Sequence, residues 1–518
     1  MVDIVGNETL ASLWDKLARE CGDKDFFIFQ DREGNVATYS YRAFNELIDQ
    51  TANMFLSQGV ERGEHVAVQM HTCPEFLMCL FGLAKVGAVL VPMNEQYLQA
   101  ECEYALDMCS TRRAVVEPCY VELYDAIHAG GRLDQGIIVT RSEGGKEAMG
   151  YPLFSELVAA EGTELEVPSD LSPDDPCEIL FTSGTTSNPK GVILTHGNMV
   201  YSGYYGDWET AMTSEDRMFS TMPACHSNFQ LAALTPVMTA RATLIVVEKY
   251  SASRFWSQIR QYRATLAQCV AMMLRTLMLQ PVDPNEKDHC LRDMPYFLPV
   301  SAREKEAFEK RYGVRIMNTY GSTESVGWVL TDPPTGERNW PSIGRVGLGY
   351  EAKIVDDEGN ELPAGEVGEI CIKGVPGRSI MLGYLGNEAA TAEALSSDGW
   401  LRMGDKGYYD ENGWFFFFDR KSNMIKRSGE NISTTEIEGI LEEHPDIKEA
   451  AVIGVPDPIR DQAVKAFVLP EDGANIGIDE VIAYCKGNMA AFKVPSIVEI
   501  VDDFPRTCSM KIEKKLLK

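Results

Sequence analysis

The chain has 518 residues, 45% of them hydrophobic and 24% charged. That composition excludes a disordered or fibrous protein. Lys and Arg number 48 against 77 Asp and Glu, a formal net charge of −29. A surface that acidic repels nucleic-acid phosphates and anionic lipid, so an anionic ligand must be met by local donors and a metal.

From Glu64 to about Thr140, short β-rich runs alternate with helical segments. His65–Met70 reads as a strand, Pro74–Lys85 as a helix, Ala88–Pro92 as a strand, Glu101–Cys109 as a helix and Arg113–Val116 as extended. This alternation predicts a parallel, doubly wound sheet. It resumes at Thr243–Val247 (strand), Ser253–Tyr262 (helix) and Val314–Asn318 (strand). The apolar stretch Phe76–Met93 contains Lys85, two glycines and Pro92, so it reads as buried helix, turn and strand, with no membrane span. After about residue 342, Gly, Asp and aromatic residues punctuate short strands at Val367–Lys373, Trp400–Met403 and Trp414–Phe418, a compact β-rich unit. Beyond a charged stretch at 419–433 comes a fresh α+β pattern: helix Thr435–His444, strands Ala450–Val455 and Lys465–Leu469, helix Asp479–Ala490.

The predicted fold class is therefore α/β. A large N-terminal domain, 1–419, carries doubly wound sheets and a β-rich subdomain at about 342–419. A small α+β lid, 420–518, follows. Thirteen scattered cysteines without a Cys-x-x-Cys pair predict free thiols in a reducing cytoplasm, not a disulfide framework or zinc ribbon. The segment Met1–Asn7 lacks the basic start and apolar run of a signal peptide.

The most specific motif is Thr182-Ser-Gly-Thr-Thr-Ser-Asn-Pro-Lys-Gly191, between the apolar runs Ile179–Phe181 and Val192–Leu194. Hydroxyls, glycines and exposed backbone N–H groups can wrap phosphate oxygens, and Lys190 adds a positive charge. It is not a Walker loop: Pro189 and Gly191 stand where Gly and Ser or Thr are required. A second motif, Asn318-Thr-Tyr-Gly-Ser-Thr-Glu-Ser325, follows a strand directly, where α/β folds place ligands. Tyr320 can stack on a base, Thr323 can donate to a phosphate and Glu324 can hold Mg²⁺. Taken alone, this spacing fits a capped turn equally well. In Trp400-Leu-Arg-Met-Gly-Asp405 the carboxylate can accept from a ribose diol, or sit in an ordinary strand-end turn. His226, in Met222-Pro-Ala-Cys-His-Ser-Asn228, reads by itself as a satisfied core histidine. The Arg506-Thr-Cys-Ser-Met-Lys511 segment reads as a shaped loop ahead of a basic tail.

Taken together and in this order, the segments resemble the adenylate-forming superfamily of acyl-CoA synthetases, luciferases and peptide-synthetase adenylation domains, over nearly the whole chain. Several stretches are similar to its branch of carnitine and crotonobetaine CoA ligases: Glu248–Trp256, Met273–Met278, Asn339–Gly347 and Asn423–Arg427. The resemblance implies that ATP or AMP binds at Thr182, Ser183, Gly184, Thr185, Thr186, Lys190, Tyr320, Gly321, Asp405 and Arg420. It implies catalytic roles for Lys511, Thr323, Glu324 (with Mg²⁺) and His226. It places Ser422 at the hinge, Lys426, Arg427 and Gly429 near coenzyme A, and Phe229, Val300, Gly327 and Trp328 in the acyl pocket.

The implied activity converts a small carboxylate to its CoA thioester through an acyl-AMP, with domain rotation between the two half-reactions. The branch points to a trimethylammonium acid such as crotonobetaine, carnitine or γ-butyrobetaine. The alternatives are an uncharged short or medium acid, or a non-catalytic nucleotide- or acyl-binding relative. Expected partners are the acid, ATP and CoA, with no nucleic acid; homodimerisation is left open. Three positions depart from the pattern. Phe297-Leu-Pro-Val-Ser301 replaces a Gly-rich segment, Met510 replaces the Gly before the lysine, and Ser422 replaces the usual Asp or Lys.

Overall fold

The computed structural model describes residues 3–518 except 143–146, 169, 183–188, 298–299, 421–422, 424, 428–429, 458–460, 490–492 and 507–510. Among the described residues there are four sheets, of ten, seven, four and five strands. The seven-stranded sheet has a parallel centre of Pro176–Thr182, Val89–Pro92, His65–Gln69, Arg113–Val116 and Gly136–Val139. The ten-stranded sheet runs parallel from Asp25–Gln30 through Thr243–Val247, Arg217–Ser220, Leu266–Ala267 and Asp293–Phe297 to Arg315–Tyr320. Parallel strands are covered on both faces, which is why Val89–Pro92 and Thr243–Val247 are apolar or buried at every position. One continuous core joins the two sheets: Val68 and Leu90 from one, Phe219 and Ile245 from the other, with Ile48 and Leu80 from helices. This is the doubly wound α/β architecture the alternation predicts.

The apolar stretch at 76–93 resolves as expected. The helix Pro74–Val86 has Pro at its first turn and ends at Gly87, whose φ of 75° suits a left-handed cap. Its 13 residues span only about 20 Å, too short for a bilayer. Lys85 on this helix is buried but paired with Asp49 at 2.7 Å and Asp15 at 2.8 Å, so its charge is compensated. No helix among the described residues is long and apolar enough to cross a membrane.

The four-stranded sheet is antiparallel and comprises Glu351–Val355, Gly368–Lys373, Trp400–Tyr409 and Phe415–Arg420. Here one expectation is corrected. The strand does not end at Met403 in a turn; it continues to Tyr409, with Gly404 at φ 70° inside it. Glycine tolerates that left-handed step, so the chain kinks without leaving the sheet.

The last sheet is built wholly from residues 425–500 and has its own core, including Ile425, Ile437, Val452 and Val468. Its first helix, Thr434–Glu442, is capped by Ser433. Asp419, fully buried, also accepts from the Thr434 N–H at 2.5 Å and the Thr434 hydroxyl at 2.9 Å. A carboxylate at a helix N-terminus satisfies orphan donors and opposes the macrodipole. Asp419 thus hydrogen-bonds the four-stranded sheet to the helix Thr434–Glu442.

Candidate active site

The loop after Arg217–Ser220 is hung from Thr72, whose hydroxyl accepts from Ala224 N–H at 2.8 Å and lies 3.3 Å from the Met222 carbonyl. His226 follows on this loop, its Nε2 3.3 Å from Asn94 Nδ2. Burial, and after it the Lys511 cation, push the His226 imidazole below its ordinary range, so it is neutral at pH 7. Lys511 belongs to the chain past the last sheet, so residues 285 positions apart share one electrostatic site. Beyond His226 the helix widens to a π-turn at Gln230–Leu234, a feature that recurs at functional sites.

Arg315–Tyr320 delivers the second motif. The Tyr320 hydroxyl donates to Asp405 at 2.7 Å. Asp405 is the Cα partner of Arg420 on the neighbouring strand. Three residues assigned to adenosine are therefore brought together, although the Arg420 side chain lies outside the described residues. Past Tyr320 the chain folds back tightly. A Cβ on Gly321 would lie 2.3 Å from the Gly327 carbonyl, so only glycine fits. Val326 is held at φ 63°, a left-handed conformation costly for a β-branched residue. That strain falls two residues after Glu324.

Thr323 donates to Ser227 at 3.2 Å, which joins this turn to the His226 loop. Glu324 Oε1 accepts from the Tyr384 hydroxyl at 3.0 Å, and the Glu324 carbonyl accepts from Met381 N–H at 2.8 Å. Burial and then Glu324 push the Tyr384 hydroxyl far above its usual range, so it stays a donor. The Lys190 ammonium sits 4.8 Å from the centre of the same Tyr384 ring. Lys190 is the Cα partner of Thr182 at the base of a hairpin. Ser183, Gly184, Thr185 and Thr186 lie outside the described residues. Lys190, Tyr384 and Glu324 thus form one contiguous cation–aromatic–carboxylate edge.

The acyl-pocket residues fall in different apolar clusters. Phe229 and Val300 belong to the main core. Trp328 forms a small apolar cluster of its own with Ala232, against Val270. Gly327 lies against the Tyr205 ring and the Tyr350 hydroxyl, which an added Cβ would meet at 3.2 and 3.1 Å. Of the residues assigned to coenzyme A and the hinge, Ser422 and Gly429 are outside the described residues and Lys426 is described only as backbone paired with Asn431. Arg427 is buried, its Nη1 3.5 Å from the Val494 carbonyl.

Sequence reading missed Tyr384, Ser227 and Asn94. Tyr384 lies sixty residues from Glu324, outside any motif. The hydroxyl next to His226 was the one available signal for Ser227.

Donors, a carboxylate and a distant lysine gathered where parallel strands end suit phosphoryl chemistry on a nucleotide. The chain belongs to the AMP-binding enzyme family: that family's model matches residues 14–385, and the AMP-binding enzyme C-terminal domain matches 436–511. Among individual proteins, it is 46% identical over 517 residues to a crotonobetaine/carnitine–CoA ligase of Salmonella paratyphi A, covering all of both chains. The ligase of the same name from Citrobacter koseri is 46% identical over the same span. ATP-bound MatB from Rhodopseudomonas palustris superposes with a TM-score of 0.88 at 25% identity, covering 98% of each chain. The anthranilate CoA ligase AuaEII, in complex with anthranoyl-AMP, has the same fold: TM-score 0.88, 24% identity, 98% of this chain and 96% of that one.

Proposed function

We propose that this protein is an AMP-forming acid–thiol ligase that converts a small trimethylammonium acid, such as crotonobetaine, carnitine or γ-butyrobetaine, to its CoA thioester. The observation that carries the reading is full-length identity of 46% to enzymes of that name; the Thr323–Ser227 hydrogen bond beside His226, and the influence of the Lys511 charge on His226, support it. Two units act: residues 1–419 bind nucleotide and acid, and residues 420–518 bring the lysine.

A carboxylate is a poor acyl donor because oxide is a poor leaving group. Attack on the ATP α-phosphorus makes an acyl-AMP and releases pyrophosphate. Charge grows on the non-bridging oxygens, so oriented donors and cations are what the reaction needs. In this reading Thr182, Lys190 and the Ser183–Thr186 loop hold the β- and γ-phosphates, and Thr323 donates to the α-phosphate. Lys511 bridges the α-phosphate and the incoming carboxylate. Tyr320 stacks on adenine while its hydroxyl orients Asp405 toward the ribose, beside Arg420. Glu324 suits Mg²⁺: one carboxylate, steadied by Tyr384, beside phosphate oxygens is the sparse protein coordination that ion takes. When bound, the ion neutralises charge on the leaving pyrophosphate. In the second half-reaction the CoA thiol attacks the acyl carbonyl and AMP leaves. In this reading His226, kept neutral by burial, borders the acyl pocket or the mouth of the CoA tunnel without adding charge.

Trp328 supplies the aromatic face that a quaternary ammonium, which has no N–H to donate, requires. The scattered cysteines, with no paired spacing, favour a reducing, cytoplasmic location.

The test is AMP and thioester formation from ATP, Mg²⁺ and CoA over a panel of acids, with product mass measured. The panel holds the three trimethylammonium acids and uncharged isosteres such as 5,5-dimethylhex-2-enoate. Thioesters of the trimethylammonium acids are expected. Thioesters from the uncharged acids alone would keep the ligase and remove the cation reading. AMP binding without turnover on any acid would contradict both.

A further inference from the structure

Lys511 is exposed and follows residues 507–510, yet it must meet a phosphate held by the other unit. The segment that carries it is fixed at its two ends. Arg506 and Ile512 are antiparallel bridge partners, and Glu513 N–H donates to the Pro505 carbonyl at 2.8 Å, so the two ends of this segment are pinned together. Arg506 grips Glu449 through both guanidinium nitrogens, Nη1 at 3.1 Å. Glu449 Oε1 is also 3.5 Å from Nη1 of Arg275, which sits on the helix Ala271–Met278 of the ten-stranded-sheet unit. Arg275 Nη2 lies 3.5 Å from Glu442, and its Nε donates to Glu304 at 2.7 Å. Glu304 in turn accepts from Ser301 N–H at 2.8 Å, next to Val300 on the candidate acyl wall.

One arginine therefore spans from the pocket wall to the root of the lysine segment. The charges around it are paired. Burial opposes the Arg275 charge, but Glu442, Glu304 and Glu449 outweigh it and hold the guanidinium protonated. Burial pushes the Glu442 carboxyl up, against the pull of Arg275. Glu304 and Glu449 face two guanidinium groups, Arg275 and Arg506. A half-buried, paired network of this kind is stiffer than an exposed pair, because each side chain is fixed by more than one partner.

We propose that Arg275 is a positioning residue that ties the Lys511 segment to the nucleotide-binding unit for the first half-reaction. It touches neither ATP nor acid; it acts through Glu449 and Arg506. Making the acyl-AMP needs the lysine. Consuming it does not, because the carbonyl is already activated and AMP is a good leaving group. The proposal rests on the ligase reading above and goes beyond it.

The experiment separates the halves. Pyrophosphate release from ATP and acid without CoA reports the first, and thioester formation from synthetic acyl-AMP and CoA reports the second. Arg275→Ala is expected to slow the first about 10- to 100-fold, as small misplacements of a reacting group do, with the second essentially unchanged. Arg275→Lys should recover part of the loss. Glu449→Gln should mimic Arg275→Ala, and the double variant should be little worse than either, since both cut one network. Hydrogen exchange of residues 505–513 should rise in Arg275→Ala and not in an Arg315→Ala control. Equal loss in both halves, additive losses or unchanged exchange would overturn the proposal. A wild-type protein that releases no pyrophosphate with any acid would instead sink the ligase reading, and the exchange comparison would still decide whether Arg275 fixes the segment.

Discussion

Glu324 and Lys511 sit at opposite extremes of the same site. Glu324 is locked from both sides: Tyr384 on its carboxylate, Met381 on its carbonyl, a buried Ser325 and a strained Val326 next to it. Lys511 is exposed, and what fixes its segment is a backbone bridge and a network of ion pairs. The core below Glu324 cannot rearrange without breaking close packing. The ion-pair network is stiffer than an exposed pair, but it is partly solvated, so water can replace its contacts where it cannot enter the core. The comparison teaches how a fold divides labour. In the proposed roles, a group needed whenever nucleotide is bound is built into the core, and a group needed for one half-reaction is hung on charges.

Breaking the locked side should hurt most. In the proposed role Glu324→Gln removes the metal's carboxylate while keeping the Tyr384 hydrogen bond. It should lower pyrophosphate release by about 100- to 1,000-fold, the scale of losing one preorganised electrostatic group. Raising Mg²⁺ should recover part of that rate, which a purely structural defect would not allow. Next is Asp405→Ala, which removes the acceptor that Tyr320 orients. The loss of charge-assisted hydrogen bonds should raise KM for ATP about 10- to 100-fold, with little change in KM for the acid. Smaller still is Trp328→Ala. If its ring meets a quaternary ammonium, kcat/KM should fall about 3- to 30-fold more for the trimethylammonium acid than for its uncharged isostere. Equal losses would mean that Trp328 only packs against Ala232.

The smallest effect sharpens the comparison from the core. Glu209 is buried beneath the site unit, and burial raises its carboxyl to about 8. The folded state therefore holds a proton that the unfolded state has lost above its ordinary carboxylate range. Stability from this group is lost as pH rises from about 4.5 toward 8. Glu209→Gln keeps the shape and cannot ionise. Its melting temperature should match the wild type near pH 5 and exceed it by about 2 °C near pH 8. A constant difference across that range would contradict the assignment.

How much of this was legible in the sequence follows from the same physics. Strands buried on both faces announce themselves as apolar β-branched runs, and Arg113–Val116 and Thr243–Val247 fall where the pattern puts them. The helices Leu10–Cys21, Tyr41–Ser57 and Ala302–Tyr312 went unread, although each carries a Thr or Ser N-cap ahead of an amphipathic run, which is itself a signal. Gly404 reads as a turn but lies inside a strand; glycine allows a kink as readily as a reversal. Motif residues close in sequence, such as Tyr320 to Glu324, were visible as a group. Partners set by tertiary packing were not: Tyr384 for Glu324, Asn94 for His226 and Arg275 for Glu449.

The most direct test of this division of labour is Lys511→Ala, read by ATP affinity and by acyl-AMP formation on the same preparation. The account predicts ATP binding within about threefold of wild type and acyl-AMP formation down by about 100-fold or more, since binding belongs to one unit and the reacting cation to the other. Acyl-AMP formation at the wild-type rate, or ATP affinity lost together with it, would contradict the account.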